Sequence, residues 1–313
     1  SPTTITAASG TSTITVTAKD ANGNPIAGAT VILAATGTGN TLTQPLGTTN
    51  ASGVATGTLS STLAEGKTVS ATISSVAITE TAAVTVVAGA VSAAQSTVST
   101  SPTTITASTG TSTITVTAKD ANGNPIAGAT VVLAATGTGN TLTQPVGTTN
   151  ASGVATGTLS STVAEGKTVS ATISGVAITQ TAAVTVVAGA VSASQSTVSA
   201  SPTTITAPSG TSTITVTAKD ADGNPIAGAT VVLSATGSGN TLTQPVGTTN
   251  VSGVATGTLN STVAEGKTIS ATINSVAITQ TAAVTVVAGA VSATQSAVSA
   301  SPTTITAVSG TTT

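Results

Sequence analysis

Residues 1–100 and 101–200 differ at only nine positions, residues 201–300 keep the same template, and 301–313 begin it again. A chain that repeats itself every 100 residues must reuse one fold many times over. The period is too long for ankyrin, leucine-rich or short β-helix repeats, and it fits an independently folding module in tandem.

Within a period the apolar residues alternate. Ile114, Val116 and Ala118 interleave with Thr113, Thr115 and Thr117, and Ala129, Val131, Leu133 and Ala135 alternate after them. A period of two is a half-buried strand, and no segment holds a helical period over three turns. The 24 Thr of residues 101–200 suit a pleated sheet, where β-branched side chains pack well. In the middle copy the pattern predicts eight short strands: A near 95–99 with a second half at 103–107, B at 112–119, C at 127–135, D at 141–148, E at 154–160, F at 167–174 and G at 178–187. The stretch from Thr117 to Val131 recurs at 17–31 and 217–231, with Asp222 replacing Asn22 and Asn122. It reads as strand, tight turn, strand, because Asp, Asn, Gly and Pro at 120–125 are turn residues. The expected core is Ile105, Ile114, Val116, Val131, Leu133, Leu159, Val169, Ala171, Ile173, Val184 and Val186. With no aromatic residue in the chain, two sheets must close on small aliphatics, so the core should be thin.

The chain has no His, Cys, Met or aromatic residue. That removes most catalytic bases and nucleophiles and the usual transition-metal ligands, so the expected role is non-enzymatic. The six cations are all Lys and the net charge is −2, which gives no cationic stripe for nucleic acid. Thr, Ser and Gly interrupt every apolar run, so no helical membrane span is expected.

The segment 186–195 leaves only Ala188 to Ser192 outside strands, too short for a flexible tether. Neighbours should therefore hand over stiffly, each advancing a fibre by about 35–45 Å at strand rise.

Lys119–Val131 resembles the B–C hairpin of group-one bacterial immunoglobulin-like domains, the stalk modules of invasin and intimin adhesins. Thr148–Thr156 is similar to that family's turn before strand E, and Ser101-Pro102 followed by Gly110–Ile114 to its opening. The resemblance covers nearly every residue of each period and brings no catalytic residues with it. It implies an extracellular, cell-surface bacterial protein, and an all-β fold of tandem immunoglobulin-like β-sandwich domains in a linear rod. The modules are expected at 1–88 (lacking its first strand), 89–188 and 189–288, with 289–313 carrying the first strand and start of a fourth. The departures are Asn150, where an Asp is common, and the missing aromatics, which weaken any analogy with receptor-binding tips.

Several motifs have both a functional and a bland reading. Asp20, Asn22 and Asn24, with Asp120, Asn122, Asn124 and Asp220, Asp222, Asn224, place oxygens at alternate positions like the start of a calcium loop, with Glu165 as a further ligand. The sixth and twelfth places are Pro125 and Val131 instead of Gly and Glu, so a plain hairpin turn is the favoured reading. Lys119 and Lys167 are weighed as partners in a Lys–Asn isopeptide bond, against solvated strand ends that discourage edge pairing. Asn50, Asn150, Asn250 and Asn260 match glycosylation acceptors, a coincidence in a bacterial chain. Thr rows on a twisted sandwich do not make an ice-binding lattice.

The leading expectation is a structural rod or filament, an adhesin stalk or surface fibre that spaces or displays a distal element. Its partners are neighbouring modules and, in a filament, identical chains. The alternative is a multivalent adhesive module that recognises a glycan or receptor through repeated weak sites. The sequence reads as an excerpt of a longer array; alternatively 295–299 is a strand donated to the next chain.

Overall fold

The computed structural model describes residues 1–301, 303–305, 307 and 308. The chain divides into two units, Ser1–Gly189 and a second that begins at Ala190.

The first unit holds two β-sandwiches. One comprises β1 (Thr4–Thr6), β2 (Ser12–Thr17), β3 (Val31–Ala35), β4 (Asn40–Thr43), β5 (Val54–Ser61), β6 (Gly66–Ile73), β7 (Val76–Ala77) and β8 (Ala82–Val87). The other comprises β9 (Thr97–Ser101), β10 (Thr104–Thr106), β11 (Ser112–Thr117), β12 (Val131–Ala135), β13 (Asn140–Thr143), β14 (Val154–Ser161), β15 (Gly166–Ile173), β16 (Val176–Ala177) and β17 (Ala182–Val187). In this second sandwich one sheet runs β13-β14-β11-β9 and the other β10-β17-β15-β12, with β16 on β15. The first sandwich has the same pairing, with a three-stranded β2-β5-β4 sheet.

The second unit holds β18 (Thr197–Ser201), β19 (Thr204–Thr206), β20 (Thr211–Thr217), β21 (Val231–Ala235), β22 (Asn240–Thr243), β23 (Val254–Ser261), β24 (Gly266–Ile273), β25 (Val276–Ala277) and β26 (Ala282–Val287). Its two sheets, β18-β20-β23-β22 and β19-β26-β24-β21, repeat the same plan. The structure is all-β, with no helix among the described residues.

The period-two pattern becomes the core directly. Along β11 the inward residues Ser112, Ile114 and Val116 are buried, and every one of the eleven expected core residues of the middle copy is buried. Ser112 is tolerated inside because its Oγ donates to the Pro102 carbonyl at 2.7 Å. The first strand changes sheets midway: β9 lies antiparallel to β11, and after the cis Ser101–Pro102 peptide β10 pairs parallel with β17. Gln144 covers part of the open edge of β12. Its Oε1 accepts the Leu133 N–H at 2.7 Å and its Nε2 donates to the Leu133 carbonyl at 3.0 Å, which blunts that edge against further pairing.

Four expectations change. First, strands B and C do not form a hairpin. Both edges of β11 are taken, by β14 and β9, while β12 pairs with β15 in the opposite sheet. The tight turn between them is real, but beyond Pro125 the chain is drawn across by Thr149, whose carbonyl and Oγ1 accept the N–H groups of Gly128 and Ala129. Second, strand D stops at Thr143, because Pro145 cannot donate to a ladder and Gly147 takes a φ of 81°. Third, residues 289–300 form no strand, and Val298 is 99% exposed. Fourth, Lys167 is not a solvated strand end but a fully buried side chain, as are its counterparts Lys67 and Lys267, while Lys119 is half-buried.

Candidate functional site

The turn at 120–125, which recurs in each copy with the single change to Asp222, lies in the second copy where the first two sandwiches meet. Asp120 forms the turn: its N–H donates to the Asn124 carbonyl at 3.0 Å, and its Oδ1 accepts the N–H groups of Asn122 and Asn124, each at 2.9 Å. This is an Asx turn, a local side-chain substitute for backbone pairing. The same turn stands in the first sandwich, where Asp20 bonds Asn22 and Asn24 and all three residues are exposed. It stands again in the second unit, where Asp220 accepts from Asp222 and Asn224. It therefore forms from its own residues.

In the first unit the Asp120 turn reaches back. Asp120 Oδ2 accepts the N–H of Gly89, in the segment between the sandwiches, at 2.9 Å, and the Asn124 Nδ2 at 2.7 Å. The second Nδ2 hydrogen of Asn124 goes to the carbonyl of Thr62, and its Oδ1 accepts the Ala64 N–H, both at 2.9 Å. Thr62 and Ala64 follow β5 in the first sandwich, so one side chain makes two bonds into the neighbour and is fully satisfied there. Val91 bridges Asp120, and Ser92 donates its N–H to the Lys119 carbonyl at 2.8 Å. The segment between the sandwiches is thus hydrogen-bonded along its length.

Burial pushes the Asp120 carboxyl up, but the bonds from the Asn124 side chain, the Gly89 N–H and the turn N–H groups outweigh it and hold it below the ordinary 3.8. Asp20 is lowered too, first by the Asn24 side chain.

These contacts bear on the calcium reading. The Asp120 oxygens already accept four N–H groups from Gly89, Asn122 and Asn124, an arrangement suited to donors and poor for a cation. Glu165 is engaged elsewhere, with Lys167 Nζ and the Thr138 N–H. Among the described residues no group of three or more carboxylate, imidazole or thiol side chains is placed to hold a metal.

The buried lysines serve the loop between β12 and β13. Lys167 Nζ donates to the Thr138 carbonyl at 2.6 Å and pairs with Glu165, and Lys67 and Lys267 repeat this with Glu65 and Glu265. The partner Lys, first among the causes, lowers each Glu carboxyl. Asn140 Nδ2 bonds the Thr136 carbonyl at 3.0 Å, while its Oδ1 is buried without a partner.

A cleft of about 630 Å³ opens in the first sandwich, lined by Ile14, Val16, Leu33, Val69 and Ile73 among others. In the second sandwich the equivalent core face is covered by β9, with Val98 buried. The lining also carries Thr15, Thr17, Lys19, Ser70, Thr79, Glu80 and Thr81, so the cleft is mixed in character and lies on the face that β9 covers in the second sandwich.

Gly89, Thr62 and Ala64 were not legible as site residues. They contribute backbone groups, which carry no side-chain signal.

Residues 92–189 and 192–289 match the family described as invasin, domain 3, and residues 3–87 match the bacterial Ig-like domain (group 1). Among solved structures, FdeC, an Escherichia coli adhesin, is similar at 29% identity and a TM-score of 0.60, covering 90% of this chain and 93% of that one. Yersinia pseudotuberculosis InvD is similar at 26% identity and a TM-score of 0.57, covering 91% and 94%. Invasin, described as a bacterial integrin-binding protein, shares the fold at 23% identity and a TM-score of 0.54, with 88% of this chain and 56% of that one covered. No curated protein matches the chain.

Proposed function

Because the chain belongs to the invasin, domain 3, family of bacterial immunoglobulin-like modules, we propose that its activity is mechanical reach: it is a non-enzymatic, extracellular stalk segment that holds a distal element away from a bacterial surface. The observation that carries this reading is the Asn124 side chain, bonded to Asp120 in its own sandwich and to Thr62 and Ala64 in the one before. A swinging bead would not spend a buried amide on its neighbour. Two neutral bonds of net worth about 0.5–1.5 kcal/mol each restrict bending without fusing the modules. The blunted β12 edge and the scattered, single exposed apolar residues suit a chain that stays unattached along its length.

A second reading, that each module also binds a receptor weakly and gains from repetition, is favoured by the similarity to FdeC, described as an adhesin. One experiment separates them. The segment is displayed between a surface anchor and an antibody epitope, once and in duplicate, and the epitope height is measured. The soluble polypeptide is applied to host cells and a glycan array in parallel. The stalk reading expects height that doubles and no saturable binding; saturable binding, or height indifferent to duplication, overturns it.

A further inference from the structure

The turn that clamps the first two sandwiches contains a chemically labile pair. Asn22-Gly23 and Asn122-Gly123 are the two Asn-Gly sequences of the chain, and the third copy has Asp222-Gly223 instead. Glycine puts no side chain in the way of its own backbone nitrogen. Gly23 and Gly123 have φ of 87° and 85°, and a Cβ at either would meet nothing within 4 Å, so a ring built there meets no neighbour. The Asn22 and Asn122 side chains are exposed. Asn24 and Asn124 sit two residues on, but each precedes a Pro, which has no N–H and cannot follow the same route.

We propose that Asn22 and Asn122 are sites of spontaneous deamidation, and that the isoaspartate product at 122 releases the junction clamp. The Gly123 nitrogen attacks the Asn122 Cγ, the Cγ–Nδ2 bond breaks, and ammonia leaves with the proton given up by the Gly123 nitrogen. Water then opens the five-membered imide at one of its two carbonyls, giving aspartate or isoaspartate.

The structure sets the relative rates. The attacking nitrogen must first give up its bond to the turn, Gly123 N–H to the Asp120 carbonyl at 3.1 Å and Gly23 N–H to the Asp20 carbonyl at 3.0 Å. The Asp20 turn is exposed and opens alone, whereas the Asp120 turn is held by Gly89, Thr62 and Ala64. Asn22 should react on the order of tenfold faster than Asn122, since opening of the second turn carries the extra cost of the clamp.

The two products differ in consequence. Aspartate leaves the backbone unchanged, and the third copy shows the turn accepting it: Asp222 N–H to Asp220 Oδ1 is 3.0 Å, against 2.9 Å for Asn122 to Asp120. Isoaspartate reroutes the chain through Cγ and adds a methylene between residues 122 and 123. Asp120 Oδ1 accepts N–H groups on both sides of that insertion, so Asn124 is moved off Thr62 and Ala64. This follows from the clamp geometry and holds whatever the stalk carries.

The test is to hold the full polypeptide at mildly alkaline pH and body temperature, then unfold it and cleave at Lys. Peptides 20–67 and 120–167 differ at three positions, Ile32, Leu46 and Leu63 against Val132, Val146 and Val163, so mass spectrometry with isoaspartate methyltransferase reads each site separately. The expected result is conversion at both Asn-Gly pairs, Asn22 ahead of Asn122. Equal rates, or no conversion while urea-unfolded chain is converted, overturns the site assignment. In parallel, hydrogen exchange at the Ala64 amide is compared between chain carrying isoaspartate at 122 and the Asn122→Asp variant. Faster exchange in the first alone supports release of the clamp, and equal exchange in the two overturns it.

Discussion

The Asn124 side chain donates to the carbonyl of Thr62, 62 residues earlier in the chain and in the preceding sandwich, at 2.9 Å. The companion bond, from the Ala64 N–H to Asn124 Oδ1, is also 2.9 Å. Replacing Asn124 by Ala removes both, together with its bond to Asp120 Oδ2, and should leave the second sandwich folded, since the N–H groups of residues 122 and 124 still donate to Asp120 Oδ1. The Ala64 amide should then exchange with solvent roughly tenfold faster, the effect of losing about 1.4 kcal/mol of local protection. Amides in the middle of β14 report whether the sandwich itself is intact and should be unchanged.

The clamp should also depend on acid. The folded Asp120 carboxyl lies below 3.8, with burial working against its hydrogen bonds. A depressed carboxylate contributes stability that is complete above its ordinary value and lost as pH falls through the lowered one. Exchange at the Gly89 amide, which donates to Asp120 Oδ2, should rise relative to its intrinsic rate only below about pH 3.8, the ordinary value. An Asp120→Asn variant should lose that dependence.

Lys167 is a structural residue despite its charge. Its side chain is fully covered and its ammonium bonds the Thr138 carbonyl and Glu165. Lys167→Ala should cost the second sandwich about 2–5 kcal/mol, as for large-to-small core changes. Lys167→Met keeps the apolar stem and should cost less, about 1–3 kcal/mol for the stranded carbonyl. Urea titration followed at β15 amides separates the two.

Two glycines of consecutive strands in opposite sheets, β14 and β15, should respond oppositely to alanine. A Cβ on Gly157 would stand 2.4 Å from the Thr143 carbonyl oxygen and 2.5 Å from Leu133 Cδ1, whereas one on Gly166 meets nothing within 4 Å. Gly157→Ala should destabilise by about 1–3 kcal/mol through overpacking against backbone. Gly166→Ala should be neutral or slightly stabilising, since it only restricts the unfolded chain. Thermal unfolding of the two variants checks the contrast.

Most of the fold was legible because alternation is a local signal: Ile114, Val116 and Leu133 declared their faces by phase alone. Lys167 was misjudged by type where phase had the answer. It occupies the inward register of Val169, Ala171 and Ile173 on β15, and an inward Lys needs only one carbonyl and one carboxylate within reach. The pairing of β11 and β12 was misjudged for another reason. A tight turn says that the chain reverses, but only the occupancy of both β11 edges, a non-local fact, says that it then crosses to the other sheet. The Asp120 turn was visible as a turn. Its partners Gly89, Thr62 and Ala64 were not, because they act through backbone atoms.

The most direct test is the distance between the first two sandwiches in solution. The chain has no Cys, so Ile32→Cys and Val132→Cys, at positions 63% and 60% exposed, give unique spin-label sites on β3 and β12. Pulsed electron resonance should yield one narrow distance distribution that broadens when Asn124→Ala is added. A distribution already as broad with Asn124 in place would contradict the account.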